Sequence, residues 1–138
     1  MKTIDLDFDG YWREVNKDSV PSKSGIYCVY SCVYNSNEKT VSITKLLYIG
    51  ESEDVHRRIA KHDRLDDWKK ELSANETLCY SFAPINEDDR ERAEAALIFK
   101  HKPPMNKEYF NNFPYTDTKI SLSGKAKFLT TNFIVEET

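Results

Sequence analysis

Gly25-Ile26-Tyr27-Cys28-Val29-Tyr30 and Leu46-Leu47-Tyr48-Ile49-Gly50 decide how this chain folds. Apolar and aromatic residues recur from Ile26 through Val33 and Tyr34, and again from Val41 to Ile49, with Asn35-Ser36-Asn37-Glu38 between them. β-branched and aromatic runs on either side of polar turn residues read as a hairpin. Alternation puts Tyr27 on one face with Val29, and Ile26, Cys28 and Tyr30 on the other; it separates Tyr48 from Leu47 and Ile49 in the same way. A turn near Asn37 then leaves Tyr27 and Tyr48 at the same end of adjacent antiparallel strands, within reach of one ligand. Two strand tyrosines by themselves are ordinary sheet residues, so their surroundings decide.

Outward from the hairpin, Val55 and Ile59 stand at helical spacing in residues 54 to 62, and Leu65, Trp68 and Leu72 continue as a second short helix. Thr77 to Phe82 reads as a third strand and residues 87 to 101 as a longer helix. Pro103-Pro104 must end that helix, because proline lacks the amide donor and disfavours helix in the residue before it. An aromatic loop (Tyr109, Phe110, Phe113, Tyr115) leads to two β-like runs, Lys119 to Leu122 and Phe128 to Val135, turning at Gly124. Upstream, residues 1 to 24 carry Tyr11 and Trp12 and then a polar stretch with Pro21, which reads as a docked N-terminal extension and turn. The expected class is α+β: a small antiparallel sheet with a three-stranded core, flanked by helices, with an extra C-terminal hairpin.

A chain of 138 residues is one domain by length and can bury well over half of its unfolded surface. Cys28 and Cys32, four residues apart in a strand, lie about 13 Å from each other, too far for a disulfide. With three cysteines, no signal peptide and no apolar run of membrane-crossing length, the expectation is a soluble, reduced, cytoplasmic protein with no membrane contact. A net charge of −3 and a pI near 5.6 argue against a strong nonspecific DNA binder. Charge is uneven, however. Arg57, Arg58, Lys61 and Arg64 cluster together, Lys100, Lys102 and Lys107 form a second group, and Asp5, Asp7, Asp9, Glu136 and Glu137 gather at the ends. A polyanion meets the middle of the chain, and Arg57, Lys61, Arg64, Lys102 and Lys107 are the candidate nucleic-acid contacts.

Arg58 and His62, spaced i, i+4, share a helix face beside the Val55 and Ile59 stripe. An arginine next to a histidine there suits a phosphate clamp with a proton acceptor, against the plainer reading of a solvated basic face. Glu94 shares a face with Leu97, Ile98 and His101, which puts a carboxylate in the apolar stripe of the long helix. A desolvated carboxylate needs a cation: a divalent metal ion or an arginine partner, and both remain open. Asn106, just past the proline pair, is a loop asparagine able to hydrogen-bond backbone or phosphate.

Taken in order, Gly25-Ile26-Tyr27, Tyr48-Ile49-Gly50, Arg58, His62, Glu94 and Asn106 resemble the motif set of the GIY-YIG nuclease superfamily. The resemblance covers residues 24 to 106, leaving 1 to 23 as an N-terminal extension and 107 to 138 as a C-terminal accessory segment of one domain spanning 1 to 138. It implies metal-dependent hydrolysis of DNA phosphodiester bonds, with Tyr27, Tyr48, Arg58, His62, Glu94 and Asn106 as the catalytic set. By that resemblance Glu94 would hold one divalent ion, Mg²⁺ or Mn²⁺. Either tyrosine could be the general base, with His62 or a metal-bound water taking the phenol proton. The 21-residue step from Tyr27 to Tyr48 resembles the standalone restriction endonucleases of the superfamily. Double-strand cleavage with one site per chain implies a homodimer or two successive nicks. The alternative is a module that keeps the fold and binds nucleic acid without turnover.

Overall fold

β2 (Gly25–Asn35) is the strand about which the sheet is built. In the computed structural model, which describes residues 1–138, every position of β2 from Gly25 to Cys32 is buried. A strand covered on both faces needs a near-continuous apolar run, and only Ser31 interrupts it. The Ser31 hydroxyl is satisfied by the Thr44 hydroxyl at 2.7 Å. β3 (Thr40–Ser52) and β4 (Glu76–Pro84) pair antiparallel on either side of β2.

These three strands are the antiparallel core expected from the sequence, but the sheet does not stop there. It is mixed and six-stranded, in the order β3-β2-β4-β1-β5-β6. β1 (Lys2–Arg13) pairs antiparallel with β4, β5 (Thr118–Gly124) runs parallel to β1, and β6 (Asn132–Val135) closes the far edge against β5. The N-terminal segment read as an extension and turn is therefore a twelve-residue strand. Its period-two pattern is clean: Ile4, Leu6 and Phe8 are buried, and Asp5, Asp7 and Asp9 point to solvent. Aspartate is depleted in strands, and it masked an alternation that one-sided burial makes favourable.

The two faces carry separate cores. α3 (Glu87–His101) packs Ala93, Ala96, Leu97 and Ile98 against Ile4, Leu6, Ile26, Cys28 and Tyr30. On the other face α1 (Val55–Ala60), α2 (Leu65–Lys69) and a 3-10 turn (Glu14–Ser19) cover Tyr27, Val29, Leu78 and Tyr80. α3 occupies its predicted span. Asn86 caps its first turn by accepting from the Asp89 amide at 3.0 Å, acids fill that turn, and Lys102 takes the left-handed conformation just before the prolines.

One expectation about the cysteines is overturned. Cys32 on β2 and Cys79 on β4 are disulfide-bonded with Cα atoms 6.3 Å apart, while Cys28 is free and buried. Sequence spacing bears on Cys28 and Cys32 alone; the β2–β4 register, with Cys79 opposite Tyr30 and Cys32 opposite Thr77, brings the distant pair together. No helix is long and apolar enough to cross a membrane.

Candidate active site

Tyr27 lies opposite Gly50 across the β2–β3 pair, and Tyr48 lies opposite Val29, so both rings stand on the α1 face. Gly50 is what lets Tyr27 lie there, since a Cβ at that position would come within 2.2 Å of the phenol Cζ. The two ring centroids are 6.2 Å apart. One expectation of simple alternation fails beside them: the register shifts after Val29, and Leu47 packs in the same core as Tyr48. A bulge lets two successive residues face the same side.

α1 is shorter than the sequence suggested and ends at Ala60. His62 therefore lies beyond the helix and does not share a helical face with Arg58. Its side chain is wholly buried, packed at a tilt of 44° against Trp68 with centroids 4.2 Å apart and set edge-on to both tyrosines. The imidazole is held at both nitrogens. The Arg64 amide donates to Nδ1 at 3.0 Å, and Nε2 stands 2.7 Å from the Tyr27 hydroxyl. An Nδ1 that accepts leaves the proton on Nε2, so the neutral ring donates to Tyr27. Burial first, and then Arg58, lower the His62 pKa to about 4, so the 3.3 Å approach of Asp63 to Nδ1 is no ion pair at neutral pH.

A cavity of about 390 Å³ opens in front of these rings. Tyr27, Tyr48, Arg58, Glu94 and Asn106 all line it, and His62 stands behind Tyr27. Burial, and then the neighbouring Tyr48, push the Tyr27 phenol well above the ordinary tyrosine range; Arg58 opposes the shift in part. Tyr48 is raised as well, by burial first and then by Glu94. The Glu94 carboxyl is pushed up to about 8, mainly by burial and then by Glu51, Glu108 and Glu91. No arginine pairs with it. Arg58 is anchored by Asp63 at 3.0 Å with over a third of its side chain exposed.

Asn106 makes two hydrogen bonds to one residue of the edge strand. Its Oδ1 accepts from the Ile49 amide and its Nδ2 donates to the Ile49 carbonyl, both at 2.9 Å, and the Met105 amide donates to the Leu47 carbonyl at 3.0 Å. The segment after α3 thus mimics a seventh strand beside Tyr48. Among the candidate nucleic-acid contacts, Arg64 and Lys107 line the cavity, and Arg57 and Lys61 line an adjoining depression that shares Arg58. Lys102 is not among them. Its ammonium donates to the Phe110 carbonyl and lies 4.4 Å from the Phe99 ring centroid.

Several residues escaped the sequence reading. Glu51 and Glu108 join Glu94 in the cavity wall. Glu51 pairs with Arg90, whose guanidinium also donates to Ser24 at 3.0 Å, tying the start of α3 to the strand ends at Gly25. Glu51 directly follows Gly50, and that adjacency is its one signal. Periodicity marks Trp68 only as a helix residue; its fully buried ring backs His62 and Tyr48.

The fold and cavity define a protein with two phenols, a guanidinium, a buried neutral imidazole and a proton-retaining carboxyl around one polar site. No family model matches the chain, and no solved structure does. Part of it is similar to UvrABC system protein C of Thermosipho africanus (strain TCF52B), with 37% identity over 82 residues that cover 55% of this chain and 15% of that protein.

Proposed function

We propose that this chain is a metal-dependent DNA endonuclease that hydrolyses phosphodiester bonds through a GIY-YIG-type site. The observation that carries the reading is that one cavity gathers Tyr27, Tyr48, Arg58 and Glu94, with His62 hydrogen-bonded behind Tyr27. The partial similarity to UvrABC system protein C supports the same class.

Arg58 binds a non-bridging oxygen of the scissile phosphate and stabilises the charge that builds there during attack, an effect often worth several kcal/mol. Tyr27 receives the proton of the attacking water. It can do so only as phenolate, its own proton having passed to solvent through the open cavity; burial opposes that form, and the Arg58 charge and the Nε2 proton of His62 offset the cost in part. His62 therefore acts as a donor that stabilises the base and does not itself take the phenol proton. Tyr48 orients the phosphate, and Asn106 holds the strand that carries Tyr48.

The cavity wall holds carboxylate oxygens and no cysteine or histidine, donors of the kind a hard divalent ion, Mg²⁺ or Mn²⁺, takes one per site, although no three such side chains converge and Glu51 is paired with Arg90. Glu94 would hold it, with water and phosphate oxygens completing the shell. When bound, the ion would neutralise charge on the phosphate and the leaving oxygen. Glu94 keeps its proton at neutral pH without a cation, so ion binding and proton release are coupled.

The test is nicking of supercoiled plasmid with Mg²⁺ or with EDTA. Nicking is expected with Mg²⁺ only, and neither Glu94→Gln nor Arg58→Ala should nick. DNA binding with no nicking in either condition would reject the enzyme and leave a binding module.

A further inference from the structure

A second concavity, of about 470 Å³, lies at the other end of β2, walled by Arg13, Lys39 and Lys125 together with Tyr11, Tyr34 and Asn16. Its charge pattern is the reverse of what the whole chain suggests. Acids outnumber Lys and Arg by 23 to 20 overall, and three carboxylates line the catalytic cavity, yet none lines this one. The molecule's ion pairs use Lys2, Lys17, Arg58, Arg64 and Arg90, leaving Arg13, Lys39 and Lys125 without acidic partners.

The backbone under each of the three cations is held, while the Lys39 and Lys125 side chains are exposed. Arg13 ends β1, with its guanidinium carbon 3.6 Å from the Tyr34 ring centroid. Lys39 stands in the β2–β3 turn, where the Asn35 side chain accepts from the amides of Asn37 and Glu38. Lys125 follows β5, its amide donating to the Phe8 carbonyl at 2.8 Å. Separate elements thus converge three like charges on a polar hollow that supplies no counter-charge. Such a convergence raises the local potential and attracts a multiply charged anion. Tyr11, Tyr34 and Asn16 add polar groups beside the cations, with Arg13 already covering one face of the Tyr34 ring and Tyr11 packed against Tyr30.

We infer that this concavity is a second nucleic-acid contact, binding phosphodiester backbone at a place distinct from the catalytic cavity. The choice of nucleic acid over another polyanion rests on the nuclease reading above. Tyr27 and Tyr34 lie seven residues apart on β2, about 23 Å at strand rise. By alternation they face opposite sides of the sheet. The backbone held here therefore belongs to a segment beyond the one in the cavity, such as a flank that wraps the sheet edge or another arm of a branched substrate.

The test uses the full chain in EDTA, so that nothing is cut, with a fluorescent 40-base-pair duplex and a four-way junction titrated at several salt concentrations. Arg13→Gln, Lys39→Gln and Lys125→Gln combined should weaken binding of at least one of them by about tenfold or more at low salt. The slope of log K against log salt should fall by about 0.9 for each phosphate that the variant no longer neutralises. Unchanged affinity and slope for both would overturn the proposal even if the wild type nicks plasmid. A reduced slope in a protein that never nicks would keep the second binding place and reject the nuclease. Should the triple variant lose its cooperative melt, acetylation footprinting of the wild type replaces it: bound DNA should protect Lys39 and Lys125, and equal labelling with and without DNA would overturn the inference.

Discussion

His62 shows how one backbone amide can set the chemistry of a side chain. The Arg64 amide fixes Nδ1 as an acceptor, and the ring must then donate to Tyr27. A ¹⁵N correlation spectrum should show a neutral ring with the proton on Nε2 down to about pH 5, since the pKa is lowered to about 4; a proton on Nδ1 would reverse its role. The linkage has a definite sign. A histidine whose pKa falls on folding contributes stability that is complete above its unfolded value near 6.5 and is lost as pH falls towards 4. Glu94 behaves in the opposite way. Its pKa rises from 4.5 to about 8, so the folded chain binds the proton more tightly, and the charged form costs stability progressively as pH rises between those values. Glu94→Gln in EDTA should therefore melt with the wild type at pH 4 and be more stable at pH 8.5, by about 1–3 kcal/mol after allowing for its partial exposure. Equal stability at both pH values would mean that the carboxylate is not held as described. These roles are only half legible in the sequence. Motif order points to the residues, but the tautomer depends on a loop amide, and the Glu94 shift depends on burial and then on Glu51 and Glu108, all of which arise only in the folded chain.

Edge strand β3 carries Tyr48 and would be the weak side of the site without help, because an unpaired edge frays or recruits other strands. Asn106 and Met105 supply that help. Asn106→Ala removes two buried hydrogen bonds and leaves the Ile49 amide and carbonyl unsatisfied, for a loss of about 1–3 kcal/mol. Hydrogen exchange at Ile49 should accelerate far more than at Cys28 in the strand centre. If Ile49 stays as protected as Cys28, another group holds the edge. Element by element, the sequence is clearest where burial is simple. α3 runs between an asparagine cap and two prolines, and both of its ends agree with the pattern. Spacing overextends α1 because His62 fits the helical period of Val55 and Ile59; its burial comes from packing against Trp68, a contact that periodicity does not encode. The bulge at Leu47 is likewise invisible, since a register shift leaves composition unchanged.

At the scale of the whole molecule, the C-terminal strands belong to the core that supports the site. Ile120, Leu122, Leu129, Phe133 and Val135 share one cluster with Leu97 and Ile98 of α3, and Ile98 lines the candidate cavity together with Glu94. β5 also occupies the open side of β1, which would otherwise become an exposed edge. By sequence, residues 119 to 138 read as accessory structure whose deletion lowers stability or changes DNA affinity but leaves the site geometry intact, because they hold no candidate catalytic group. Sheet order changes that expectation, and order is hard to read from a single chain when a parallel neighbour lies more than a hundred residues away, as Lys2 and Thr118 do. Truncation after Asp117 would expose the large side chains of the main core, each worth about 1.5–3 kcal/mol when buried. The total exceeds the margin of a typical small domain. The truncated chain should lose its cooperative thermal transition and with it any plasmid nicking, whereas Ile134→Ser, at an exposed position of β6, should change neither. A truncated chain that still melts cooperatively and nicks would show that the two halves of the sheet are separable.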